Sequence, residues 1–170
     1  MIVIIFLCIF FAGTAVSQPV DNTGEWAPIR GLFWGILSEV ECPNGGKITG
    51  IRYRSSFAVE RLGFYCTSPD GVETLVGLVG GANDNTCADD KCPQGWYVQS
   101  IHGNGSSTLY AIGIKCAQGS ESVQSKAHGG DDGTDFDDAS FASNGKRLSA
   151  LKVWYIDDLI SGVQGKYSAI

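Results

Sequence analysis

Three stretches of the chain share one glycine-led pattern at a constant spacing of 50 residues, anchored on Gly45, Gly95 and Gly145. An apolar residue follows each anchor three positions on (Ile48, Val98, Leu148) and another at six (Ile51, Ile101, Leu151), so the segments align without gaps. A period of this length marks a supersecondary unit copied three times, each copy exposing an apolar face that it cannot bury alone. Three small sheets packed about a common axis bury those faces together. The first two copies read CPNGGKITGIRYRSSFAVERLGFYC and CPQGWYVQSIHGNGSSTLYAIGIKC; the third, ASNGKRLSALKVWYIDDLISGVQGKY, keeps the pattern without the cysteines. Glycines also stand ahead of each copy, at Gly31, Gly81 and the pair Gly129 and Gly130. Each reads as the opening of a unit, at a close backbone approach that a side chain would obstruct.

The first residues, MIVIIFLCIFFAGTAVSQ, form an apolar run of signal-peptide length that ends in small residues, with Ala15 and Ser17 in an A-x-S arrangement. Cleavage is expected after Ser17, which gives a signal peptide over 1–17 and a secreted, extracellular product. The run has no basic residue ahead of it, and it falls short of the about 18 apolar residues of a spanning helix. No later stretch approaches that length, so membrane insertion is not expected. Residues 18–170 have the size of one domain and are expected to bury about 68% of their unfolded surface. The repeats run over about 31–80, 81–128 and 129–170. Glycine and aromatic residues are abundant, and apolar residues alternate with period two, which is an all-β signature. The formal charge of -6 argues against a nucleic-acid partner, whose phosphates require a basic face, and against anionic membranes likewise.

Five cysteines follow the expected cleavage point: Cys42, Cys66, Cys87, Cys92 and Cys116. An oxidising compartment favours pairing. Cys42 to Cys66 and Cys92 to Cys116 have equal spacing and bracket the first two repeats, which favours one bridge within each. Cys87 is then odd, as a free thiol or an intermolecular link that gives a disulfide-linked oligomer; a Cys87–Cys92 loop is the rival pairing. The spacing is not that of zinc ligands, and no metal site is expected from it.

The elements CPNGGKITGI, CTSPDGVETLVGLVGG and CPQGWYVQSI, within about residues 31–116, resemble the vitelline membrane outer layer protein family. The last third, HGGDDGTDFDD through RLSALKVWYIDDLISGVQGKY, is similar to the first Greek key of jacalin-related lectins, and IHGNGSSTLYAIGIKC is similar to their final key, as in a circularly permuted order. Both resemblances imply a β-prism of three four-stranded Greek-key sheets with pseudo-threefold symmetry. The jacalin likeness further implies a sugar held between a GG loop and a GxxxD loop. Here those loops are Gly129, Gly130 and Asp131 on one side and Gly103, Asn104, Gly105, Ser106 and Tyr110 on the other. Fixed donors and acceptors suit adjacent sugar hydroxyls, and Tyr110 or His102 is the candidate stacking face. At the place of the family's sugar-binding aspartate stands Tyr110, with Glu60 at the equivalent place in the first copy. Asn104-Gly105-Ser106 is also the only N-x-S/T sequon, which makes Asn104 a glycosylation candidate.

The acidic run Asp131, Asp132, Asp135, Asp137 and Asp138 reads as a solvated loop with at most weak calcium binding, because the spacing and terminal glutamate of a calcium-binding EF-hand loop are absent. Trp34, Tyr53, Trp96, Tyr97, Trp154 and Tyr155 recur near the repeat strands and read chiefly as core or inter-sheet packing, with one of the adjacent pair Trp154 and Tyr155 facing outward. The two histidines, His102 and His128, have no nucleophile elbow, metal pair or phosphate loop beside them, so no enzyme activity is expected. Two readings share the fold. One is a secreted protein that binds glycans or glycoproteins; the alternative is a structural component of an extracellular coat or matrix, of egg-envelope or biomineral type.

Overall fold

The computed structural model describes residues 24–81, 87–143 and 145–170. The expected signal peptide over 1–17 lies outside them. Two short strands, β1 (Glu25–Trp26) and β2 (Arg30–Gly31), and a longer β3 (Ile36–Glu41) come first. A long hairpin of β4 (Lys47–Ser55) and β5 (Val59–Thr67) follows, then β6 (Glu73–Gly80) and β7 (Ala88–Lys91). The next hairpin is β8 (Tyr97–Gly105) and β9 (Leu109–Gln118), followed by β10 (Glu121–Gln124), β11 (His128–Gly129) and β12 (Thr134–Asp137). The last is β13 (Lys146–Ile156) and β14 (Leu159–Ala169).

Each hairpin forms the centre of its own antiparallel sheet. The first sheet has the order β6-β5-β4-β7 and the second β10-β9-β8-β12, with β11 also on β9. The third has the order β1-β14-β13-β3, with β2 also on β14. All three are one Greek key: after the hairpin, the chain pairs with its second strand and then returns to its first. In the third key those outer strands come from the beginning of the chain, so residues 25–41 complete the sheet of residues 146–169. The keys are therefore 47–91, 97–137, and 146–169 with 25–41. The glycines read as opening each repeat instead lie inside a key, between its two outer strands, where an outer strand meets the hairpin beneath it.

The repeated apolar spacing of three has a direct cause. Strict alternation would send Ile48 and Ile51 to opposite faces. A register shift between Ile48 and Gly50 on β4 inserts one extra residue and restores both to the inner face, and the same shift lies between Val98 and Ser100 and between Leu148 and Ala150. Ile48, Ile51, Val98, Ile101, Leu148 and Leu151 are accordingly all buried in one common core, with Phe64, Ile112 and Tyr167 from the second hairpin strands. Disulfides Cys42–Cys66 and Cys92–Cys116 tie the turn that opens each of the first two keys to the end of its hairpin, each with a Cα–Cα distance of 5.5 Å. Cys87 is free.

One buried polar clip joins the keys. Asp138, fully buried, accepts from Arg30 Nε and Nη2 at 3.0 and 2.6 Å and from the Tyr167 hydroxyl at 3.2 Å. Arg30 also lies over the Phe136 ring. Asp138 is thus no part of a solvated acidic loop, and Asp137 caps the following turn by accepting from Ala139 N. Asp131, Asp132 and Asp135 are the exposed remainder of the run.

Candidate functional site

A second register shift lies near the tip of every hairpin and leaves one residue of the second strand unpaired. The skipped residue is Glu60 between the pairs Arg54 with Arg61 and Ser55 with Val59. It is Tyr110 in the second key and Ser161 in the third. These are the positions that correspond to the aspartate implied by the lectin likeness. A bulge turns its residue away from the regular pleat, which is how a strand aims a side chain at a site.

The outer strand crosses each bulge with a glycine. A Cβ on Gly80 would stand 2.2 Å from the Glu60 carbonyl, on Gly129 1.9 Å from that of Tyr110, and on Gly31 2.3 Å from that of Ser161. Their φ angles of 91°, 139° and 89° exclude most side chains independently. The residue after each glycine then donates its N–H to the same carbonyl: Gly81 to Glu60 at 3.0 Å, Gly130 to Tyr110 at 3.1 Å and Leu32 to Ser161 at 2.7 Å. The first key's glycine in this role is Gly80, one residue before the Gly81 singled out by spacing.

The three tips also meet one another. Gly130 of the second key packs on the Phe57 backbone of the first, where a Cβ would lie 2.2 Å from the Phe57 carbonyl. Gly105 lies against Gly31 of the third key, and Thr108 Oγ1 donates to the Ile160 carbonyl at 2.7 Å. Gly81 faces the Asp158 carboxylate of the third. Hairpin tips and glycine loops alternate in a cyclic ring at one end of the prism.

The expected loops, 103–110 and 129–131, are brought together in this ring, but their members have different tasks. Gly103 is within β8 and packs on Ala111. Asn104 pairs with Asp135 and Ala111 inside the sheet, and its side-chain Oδ1 is buried without a partner. The sequon lies at the tip end of β8, where the Asn104 side chain is half-buried and Ser106 is exposed in the turn. Gly130 is needed for contact between keys, where a side chain would meet the Phe57 backbone. Ser106 is exposed in its turn, and Asp131 is exposed on the glycine loop. The Tyr110 ring lies on Gly133, and its hydroxyl is 3.3 Å from Ser107 Oγ. His102 is buried against Gly113 in the sheet and offers no stacking face; burial holds its imidazole below the ordinary value. His128 stacks on Tyr53 and bonds Asp90 at 3.0 Å, between the first two keys.

The bulge side chains are engaged within the chain. Glu60 is held by Arg54 at 2.7 Å and by the Ser56 hydroxyl, and Ser161 donates to the Trp34 carbonyl. On the glycine loop of the second key, Asp131 and Asp132 are exposed carboxylates. Sequence reasoning missed Phe33 and Phe57 and placed Trp34 among the packing aromatics, whereas all three rim the ring. Phe33 and Trp34 are each 70% exposed and Phe57 is 64% exposed. The signal was present: Phe33 and Trp34 sit between Gly31 and Gly35, a loop too short to turn inward. Tyr53, Tyr97 and the partly buried Tyr155 do pack as expected, with Trp154 outward. Among the described residues no group of three or more His, Cys, Asp or Glu side chains is placed to hold a metal ion.

No family model and no curated protein matches the sequence. Solved structures do. Calystegia sepium agglutinin superposes with a TM-score of 0.69 at 16% identity, covering 87% of this chain and 98% of that one. A mannose-binding jacalin-related lectin from Ananas comosus gives 0.67 at 18% identity, covering 86% and 99%. Malaysian banana lectin gives 0.66 at 11% identity, again covering 86% and 99%. With three Greek-key sheets about a pseudo-threefold axis and nearly whole-chain superposition, this chain has the β-prism fold of the jacalin-related lectins.

Proposed function

We propose that the protein is a secreted, non-catalytic carbohydrate-binding protein, with the sugar seated on the outer surface of the ring where Phe57, Tyr110 and Gly129 to Asp131 adjoin. The observation that carries the reading is the joining of the two loops by the Gly130 to Tyr110 hydrogen bond, with the exposed Phe57 packed against the same loop. An aromatic face, the exposed Asp131 carboxylate and turn backbone groups together match the mixed apolar and hydroxyl surfaces of a pyranose. The fold supports the same class. The Ananas comosus lectin binds mannose, and the Calystegia lectin has been crystallised with a biantennary N-glycan.

A glycan-array screen of the disulfide-intact protein, with and without calcium, tests the reading. A defined hit that is lost in Phe57→Ala and Asp131→Ala, both at exposed positions, supports it. A blank array with folded protein refutes it. The calcium arm tests weak cation binding by Asp131, Asp132 and Asp135. A second reading, a structural role in an extracellular coat or matrix, draws on the outer-layer resemblance and on one observation, the unpaired Cys87. Covalent dimers under non-reducing conditions, absent in Cys87→Ser, are its expected outcome.

A further inference from the structure

A groove of about 760 Å³ lies at the other end of the first key, between the opening turns at Gly45 and Gly95 and across the ends of β4 and β5. The nine residues of β4 separate it from the ring by about 30 Å. Its size falls in the range of small-molecule sites. Lys47, Thr49, Thr67, Glu73, Gln94 and Trp96 give it its chemistry. Thr49 and Thr67 bond each other at 2.8 Å and Thr49 Oγ1 also donates to the Tyr65 carbonyl at 3.4 Å, which engages both protons and leaves acceptor lone pairs on both hydroxyls. Lys47, whose Nζ lies 5.8 Å from the centre of the Tyr97 ring, supplies ammonium donors, while Gln94 supplies both a donor and an acceptor. Glu73 supplies a carboxylate, bonded to Lys91. Trp96 packs one part on the core and leaves the rest at the groove.

This set discriminates among ligand classes. A phosphate or sulfate would meet the Glu73 carboxylate, and a purely apolar ligand would leave the threonine and lysine groups unsolvated. Neighbouring hydroxyls, each a donor and an acceptor, match interleaved donors and acceptors beside an indole face. The groove is also preorganised. Cys42–Cys66 ties down the turn at Gly45 and Cys92–Cys116 the turn at Gly95, so little ordering cost falls on binding. Gly45 and Gly71 leave their turns bare, with no atom within 4 Å of where a Cβ would stand.

We propose that this groove is a second binding site, for a neutral oligosaccharide, independent of the ring. The test is an amide and indole NMR titration of the whole secreted protein with mannotriose, maltotriose and triacetylchitotriose. Saturable shifts at Thr49, Thr67 and the Trp96 indole, unaffected by Phe57→Ala, are expected. The double variant Lys47→Gln, Thr67→Val should weaken that response about tenfold while leaving ring resonances unchanged. Both positions lie at the surface end of the hairpin, and an unchanged amide spectrum shows that the variant folds. Groove resonances that stay still with all three sugars overturn the proposal, as does a response to short peptides alone. Failure at the ring alone leaves the groove shifts intact, so the two readings fail separately.

Discussion

Replacing Asp138 by alanine removes the acceptor for two other groups at once. Its carboxylate is fully buried, while the Arg30 side chain is 22% exposed. Breaking a buried ion pair by deleting one partner costs about 3–5 kcal/mol, and the partial exposure of Arg30 places the expected loss near the lower limit, at about 3 kcal/mol. The Tyr167 hydroxyl, itself buried, loses its 3.2 Å acceptor in the same change. Tyr167→Phe isolates that contribution and should cost about 1 kcal/mol. Asp138→Asn keeps the shape and one carbonyl acceptor, so it should cost only about 1–2 kcal/mol. The assay is equilibrium urea unfolding of the three variants with disulfides intact, compared at constant slope. The order expected is alanine, then asparagine, then the phenylalanine variant. A loss of less than about 1 kcal/mol in Asp138→Ala would refute the clip as a fastening between the β2 strand and the end of the second key.

Other outcomes follow from single positions. Gly129→Ala should prevent folding or cost several kcal/mol, because its Cβ would stand 1.9 Å from a carbonyl at φ 139°. Gly45→Ala, with φ 70° and open space, should cost only about 1–2 kcal/mol; equal losses in denaturation would contradict the packing argument. The neutral His102 ring is favoured in the folded state, since burial lowers its proton affinity. Its contribution is therefore complete above the ordinary imidazole value of about 6.5 and is lost as pH falls through the lower folded value. Unfolding midpoints should drop across that window in the native protein and less steeply in His102→Gln.

Much of the architecture could be read from the spacing of Ile48 and Ile51 and their counterparts, because a bulge repeated in the same place writes the same offset into all three copies. The two disulfides were legible for a similar reason: each closes one copy. What was not legible depends on pairing distant in sequence. Nothing near Gly31 or Ile36 indicates that they pair with residues 146–169, and that reassignment moved every boundary of the repeats. Asp138 looked like one more acid in a solvated run, since its partners Arg30 and Tyr167 are far away along the chain. The two loops that the lectin likeness singles out do lie together, joined by the Gly130 to Tyr110 hydrogen bond, yet Gly130 and Asn104 have structural surroundings that only the contact between keys and the inner sheet reveal. Trp34 shows the opposite error: an aromatic expected inside stands outside, because its loop is pinned at Gly31 and Gly35.

The third sheet, made from residues 25–41 and 146–169, also determines when a newly made chain can finish folding. The first two hairpins close from neighbouring residues and can form while synthesis continues. The strands at 25–41 have no partner until the last hairpin has emerged, so the apolar inner faces of the completed keys stay uncovered throughout that interval. Residues 25–41 and 146–169 are the two halves of one fastening. A chain shortened anywhere within residues 146–169 would leave three orphaned strands at its other end, and quality control that senses exposed apolar surface would detect the truncation at a place far from the missing residues.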